Sequence, residues 1–171
     1  MYLTIIRDLY NHMEWADASV WRAVLSSESA TNDRKLTDLF HHLHLVQNAY
    51  LRAWRSEPYD APYPEFDGAQ SLIVWGRSFY PVIFDYLEAV TDERLATPFQ
   101  MPWTDIVAKE LGRVPEQSTL AEMMLQVPMH SHYHRGQINK RLREAGGEPP
   151  KVDYVVWVWL GRPRANWEMP N

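Results

Sequence analysis

Four long stretches of the chain repeat their apolar side chains at the helical period, and that repetition decides the fold class. In residues 2–26, Ile6, Leu9, Tyr10, Met13, Val20 and Val24 recur near helical spacing. Between 33 and 54, Leu36, Leu39, Phe40, Leu43, Tyr50 and Trp54 fall within a narrow arc at about 100° per residue. A third helix is expected over 69–90, where Pro81 predicts a kink or a break. The fourth opens on Thr119-Leu-Ala-Glu122, a capping-box pattern, and runs to about Ala145. It stops at Gly146-Gly147, with Pro149-Pro150 beyond. The expected architecture is all-α, four long helices forming a single domain over 1–171.

The connections are read from polar and breaker residues. A polar stretch, 27–33, separates the first two helices, and Asn32 or Asp33 is placed to cap the second. Residues 58–68 carry three prolines and a glycine and read as an ordered loop. Residues 91–117 are irregular and, at roughly 27 residues, longer than most connections. Two strands of a short hairpin are expected there, Pro98–Met101 and Ile106–Leu111. A crossing connection of this length also suits a bundle with two parallel neighbours. Asp153 is expected to cap a last short helix, Tyr154–Leu160.

Composition narrows the class of function. A chain of 171 residues buries about 70% of its unfolded surface and needs no covalent staples. It has no cysteine, which excludes disulfides, cysteine-type zinc sites and a cysteine nucleophile. A net charge of −5 argues against nucleic-acid binding. No apolar run is long enough to span a bilayer, and the first twelve residues lack a signal-peptide core, so a cytoplasmic protein is expected. Eight tryptophans and nine tyrosines suit either a deep pocket or an aromatic dimer interface.

The seven histidines are concentrated. One, His12, lies in the first helix; His41, His42 and His44 lie in the second; His130, His132 and His134 lie in the fourth. At 100° per residue, Leu120, Met123, Met124, Val127, Ile138 and Leu142 define the buried face of the fourth helix. His130 and His134 are about 40° apart and lean toward that face, while His132 faces out. An i, i+4 pair of imidazoles on one face lets a helix give two nitrogens to one metal. A single half-buried histidine is more often a hydrogen-bonded core residue. In the second helix both His42 and His44 flank the apolar arc, and His41 faces out. His42 shares its row with Val46, Ala49 and Ala53, small residues that leave room for a pocket and favour it as third ligand. Three imidazoles without cysteine describe an open site with positions left for water or substrate.

The stretch His130-Ser-His-Tyr-His-Arg-Gly-Gln-Ile138, with Leu142-Arg143, Gly146, Pro149-Pro150 and Asp153 after it, resembles the end of the DinB/YfiT-like family. The segments Leu39-Phe-His-His42-Leu43 ahead of Tyr50, and Tyr10-Asn-His-Met-Glu-Trp15-Ala-Asp17, resemble that family's second and first helices, with Asp17 where the family carries Asn. The resemblance spans most of the chain and again selects His42. It implies a four-helix bundle of up-down-down-up topology, one divalent metal on three histidines, and frequently a homodimer. It also implies relatives that are thiol-dependent transferases or isomerases.

Other residues carry two readings each. Gln137 lies just beyond His130 on the helical wheel and either bonds the second nitrogen of a ligand imidazole or faces solvent. His12 either lines the pocket opposite the metal or is structural. Gly136 marks a close approach of another chain or loop or is simply tolerated, and Pro128 predicts a bend. His41 and His132 are expected to be exposed, and Trp15, Trp54 and Trp75 to be core. The reading that follows is a metal-dependent enzyme, holding one zinc or nickel ion on His42, His130 and His134. It activates a low-molecular-weight thiol for transfer to an electrophilic small molecule. Hydrolysis by metal-activated water, and a non-catalytic metal-binding stress protein, are the alternatives.

Overall fold

Four of the helices open on a capping side chain. In the computed structural model, which describes residues 2–168, α1 spans Tyr2–Leu25 and the four-residue α2 spans Glu28–Thr31. The Asp33 carboxylate accepts from Leu36 N and opens α3, Arg34–Trp54. Helix α4 covers Ala69–Ala89, and two short helices follow, α5 over Asp92–Leu95 and α6 over Thr104–Leu111. The expected capping box forms at α7, Leu120–Glu144: Thr119 Oγ1 accepts from Glu122 N while the Glu122 carboxylate accepts from Thr119 N. Each such cap is worth about 1 kcal/mol. The last helix, α8, spans Tyr154–Trp159. Met1 and residues 169–171, the ends of the domain expected over 1–171, lie outside the described residues.

Several expectations need correction. No hairpin forms between 98 and 111. Ile106–Leu111 is helical in α6, where Asp105 in the first turn, Lys109 in the last and Gly112 in a left-handed conformation suit a helix from end to end. Pro98 makes only an isolated bridge with Thr119. Of the kink or break expected at Pro81, no break forms: helix α4 runs through this exposed position. The polar stretch 27–33 contains a turn of helix, because the Ser27 side chain caps Ala30 N. Asp153 sits at the start of α8 but its carboxylate makes no capping bond.

Side-chain bonds fix the helix directions. Gln47 reaches Ser131 and Asp33 reaches Arg141, so α3 and α7 are antiparallel. Tyr10 donates to Met124 O and Asp17 pairs with Arg135, so α1 and α7 are parallel. Arg7 donates to Leu87 O and Tyr80 to Asp17, so α1 and α4 are antiparallel. Helices α3 and α4 therefore run the same way, with 55–68 as the crossover between them.

The core divides in two. One apolar cluster holds Tyr10, Met13, Leu51, Phe79, Ile83, Leu120 and Val127. The other holds Val20, Trp21, Phe40, Leu43, Leu72, Ile138 and Leu142. On each of the four long helices the switch from one cluster to the other passes polar or small residues: Asp17, His44 and Gln47, Gly76, Ser131 and Arg135. This polar waist lies at the level where the fourth predicted helix carries its histidines.

Candidate metal centre

Helices α3 and α7 bring His42, His130 and His134 together. One ring nitrogen from each lies within 4.8 Å of the other two, the one such three-ligand group among the described residues. Ring centroids are 4.3 Å apart for His130–His134, 4.5 Å for His42–His134 and 5.5 Å for His42–His130. Nitrogens each about 2.1 Å from a common ion would be about 3–3.5 Å from one another, a closure within reach of side-chain rotation.

Three further observations fit a metal. His130 Nε2 is buried and has no hydrogen-bond partner, an orphan that a bound ion would satisfy. Burial, then the neighbouring His134 and His42, push the His130 pKa down to about 4, so its ring is neutral at physiological pH with a lone pair to give. Burial, followed by His134 and His41, lowers the His42 pKa as well. At His134 the second ring nitrogen is already engaged. Nδ1 is 2.8 Å from Gln137 Oε1, and because that oxygen only accepts, Nδ1 carries the proton and Nε2 is left with its lone pair. Gln137 thus bonds one nitrogen of the His134 ring and fixes its tautomer.

The other histidines are elsewhere. His44 is fully buried: Trp21 Nε1 donates to its Nε2 at 2.9 Å and its Nδ1 donates to Gln47 Oε1 at 2.8 Å. Both nitrogens are occupied, so it offers nothing to an ion. His12 is not joined to the three. Its Nε2 is 2.8 Å from Val152 O and its ring lies among Trp15, Tyr154 and Trp157, which docks the segment leading into α8. Among its two readings the structural one describes that geometry. His41, expected to be exposed, is half-buried against Phe66 and Trp75, because the 58–68 loop folds back over α3. His132 is exposed. Of the tryptophans, Trp54 is buried while Trp15 and Trp75 are half-buried.

Beneath the histidines lies a network that the sequence reading missed. The buried Asp17 carboxylate of α1 collects a donor from each of the other three long helices. Arg135 Nη1 donates to Oδ1 at 2.7 Å, while Gln47 Nε2, at 2.8 Å, and the Tyr80 hydroxyl donate to Oδ2. Gln47 Nε2 also donates to Ser131 Oγ at 3.2 Å. The signal was present: Asp17 falls in the apolar row of Tyr10, Met13, Val20 and Val24, and Arg135 in that of Ile138 and Leu142. A charge in core phase needs a partner in core phase. Gly76 belongs to the same layer, since a Cβ there would sit 2.4 Å from His44 Nε2.

Comparison with known proteins agrees with this architecture. The sequence model of the DinB family matches residues 1–165. No curated protein matches the chain.

Proposed function

The chain belongs to the DinB family, and from that premise we propose a metal-dependent enzyme that activates a low-molecular-weight thiol for transfer to an electrophilic small molecule. The observation that carries this reading is the triad, three imidazole nitrogens within 4.8 Å of one another with His130 Nε2 buried and otherwise unpartnered. His42, His130 and His134 would hold one divalent ion, zinc or nickel, both of which accept imidazole. When bound, such an ion supplies Lewis acidity that lowers the pKa of a thiol or a water beside it. The chain's own residues do the rest. Burial keeps His130 neutral, Gln137 fixes the His134 tautomer, and the exposed His42 leaves the site open to solvent. The exposed Tyr133 ring, 5.1 Å from that of His134, offers a wall with an apolar body and a polar tip to an incoming substrate. With no cysteine in the chain, the sulfur comes from the cosubstrate.

The same reading takes the chain as one domain acting as a homodimer in the cytoplasm. Exposed Val155, Trp159 and Leu160 at α8 support a partner surface, and no helix among the described residues is long and apolar enough to cross a membrane. Light scattering showing the mass of one chain at micromolar concentration would remove the dimer.

The test is metal analysis of untagged protein, then incubation of zinc- or nickel-loaded protein with glutathione, cysteine or 2-mercaptoethanol and an activated chloroarene. The expected result is a thioether whose formation needs both metal and thiol and is lost in His134→Ala. Turnover of an ester substrate independent of thiol would move the reading to hydrolysis. Tight metal binding with no turnover of either kind would leave a non-catalytic metal protein.

A further inference from the structure

The polar waist and the histidine centre share a regularity in α7. His130 is followed at once by Ser131, and His134 at once by Arg135. Both followers are locked into the buried network, Ser131 to Gln47 of α3 and Arg135 to Asp17 of α1, and they are only 1% and 2% exposed. Consecutive side chains on a helix point about 100° apart. The two anchors therefore point into the bundle while the two histidines point along its α3–α7 edge. Whatever fixes the azimuth of the anchors fixes that of the histidines.

Magnitudes show why this matters. At a side-chain radius of about 6 Å, a rotation of α7 by about 20° moves each imidazole by about 2 Å. Metal–ligand bonds tolerate roughly 0.2 Å. Apolar packing is non-directional, and cores re-pack when their volume and pattern are kept, so the two apolar clusters do not hold a rotation that finely. A buried ion pair adds little net stability, and its best-attested use is to fix register. Asp17 is bonded to α3, α4 and α7 at once, so it pins α7 against the rest of the bundle. Among the described residues no hydrogen bond joins this network to His42, His130 or His134, so its influence acts through the helix itself.

We propose that Asp17 and Arg135 are positioning residues of the histidine centre: their buried pair, assisted by Gln47–Ser131, holds α7 at the rotation that aims His130 and His134 at His42. This rests on the triad being a metal centre, and the experiment separates the two claims. The double variant Asp17→Leu/Arg135→Met replaces the pair by apolar side chains, a change that buried pairs commonly survive, although here it also takes the Asp17 acceptor from the Tyr80 hydroxyl and from Gln47 Nε2 and so lowers stability. Leu120→Ala serves as a variant weakened in the core but remote from the network. For each, helix content and urea midpoint report the fold, zinc competition reports affinity, and the visible spectrum of bound Co(II) reports ligand geometry.

The pair variant is expected to unfold cooperatively yet bind zinc about 10–100-fold more weakly, with an altered Co(II) spectrum. Leu120→Ala is expected to lower the urea midpoint and leave affinity and spectrum as in the wild type. Wild-type affinity and spectrum in the pair variant, or an equal loss in Leu120→Ala, overturns the proposal. Should the pair variant fail to fold, Ser131→Ala carries the test: folded with several-fold weaker zinc binding supports positioning, and unchanged affinity overturns it. His134→Ala is read first. If it binds zinc as the wild type does, the triad reading falls; if it does not and the pair variant binds normally, only the positioning role falls.

Discussion

At either end of the bundle, contact is apolar and forgiving; in the layer between, all but Gly76 are polar and nearly every bond is specific. The cluster around Leu36, Phe40, Val20 and Leu142 asks only for volume and hydrophobicity. The layer of Asp17, His44, Gln47, Ser131, Tyr80 and Arg135 asks for donors facing acceptors, because each unmade bond leaves a buried polar group at a cost of about 1–3 kcal/mol. The difference teaches where stability and geometry come from. The ends hold the helices together, and the waist decides how they are turned, with the three histidines standing at its rim.

The sharpest way to break that division is at the rim. His134→Ala should weaken zinc binding by more than about a hundredfold while helix content stays unchanged, since one ligand of three is gone and the apolar clusters are untouched. His132→Ala, two residues away and exposed, should do neither. Calorimetric titration of both variants checks this, and a reversal between them would sink the ligand assignment.

A deep cut at one end should give the opposite profile. Leu142→Ala removes a fully buried side chain and is expected to lower unfolding stability by about 2–5 kcal/mol in urea. Zinc affinity should change by less than about twofold, because distant, independent sites are additive. A large loss of affinity would show that the ends and the waist are not separable.

Gly76→Ala tests how tightly the waist is filled. Alanine is favoured over glycine within a helix by about 1 kcal/mol. Against that, the added Cβ would meet the His44 ring at 2.4 Å, and His44 is held at both nitrogens. Overpacking of this kind costs about 1–3 kcal/mol, so the variant should melt lower than the wild type. A rise in melting temperature would mean the layer yields.

These regions were not equally legible. The apolar ends could be read directly, since Leu36, Phe40 and Leu43 announce their face by spacing alone. The rim was legible in part: the His130–His134 pair follows from i, i+4 spacing, while the choice of His42 over His44 needed small neighbours on one row and the family resemblance. The waist was not read, although Asp17 and Arg135 both occupy core phase. A lone charge on an apolar row can be an exposed edge or a buried half of a pair, and only the fold brings residues 17 and 135 together. Residues 91–117 misled for a local reason: Ile106–Leu111, which opens on Ile-Val-Ala, reads as a strand until its capping glycine and end charges are weighed.

A smaller effect is expected at Gln137, which touches a histidine of the rim but none of the waist. Gln137→Ala frees His134 Nδ1 and the ring orientation, and should weaken zinc binding by about tenfold with no change in urea midpoint. An unchanged affinity would mean that packing alone orients the ring.

The smallest effect concerns pH and lies outside both regions, at His12, which ties α1 to the segment before α8. Burial is the largest influence and lowers its pKa from the ordinary 6.5; Arg135 and His132 act in the same direction, while the bond to Val152 O and the charge of Asp17 oppose it. The folded protein therefore keeps this ring neutral at a pH where the unfolded chain has begun to protonate it. Its contribution to stability is present in full above about pH 6.5 and is lost as pH falls from there toward the lower folded pKa. His12→Gln removes the titration and keeps a donor for Val152 O. Melting temperatures compared between about pH 7.5 and about pH 5.5 should fall less steeply in the variant than in the wild type. Zinc affinity measured at the higher pH should be the same in both, because His12 gives no nitrogen to the triad. Equal slopes would place the acid sensitivity of the fold elsewhere.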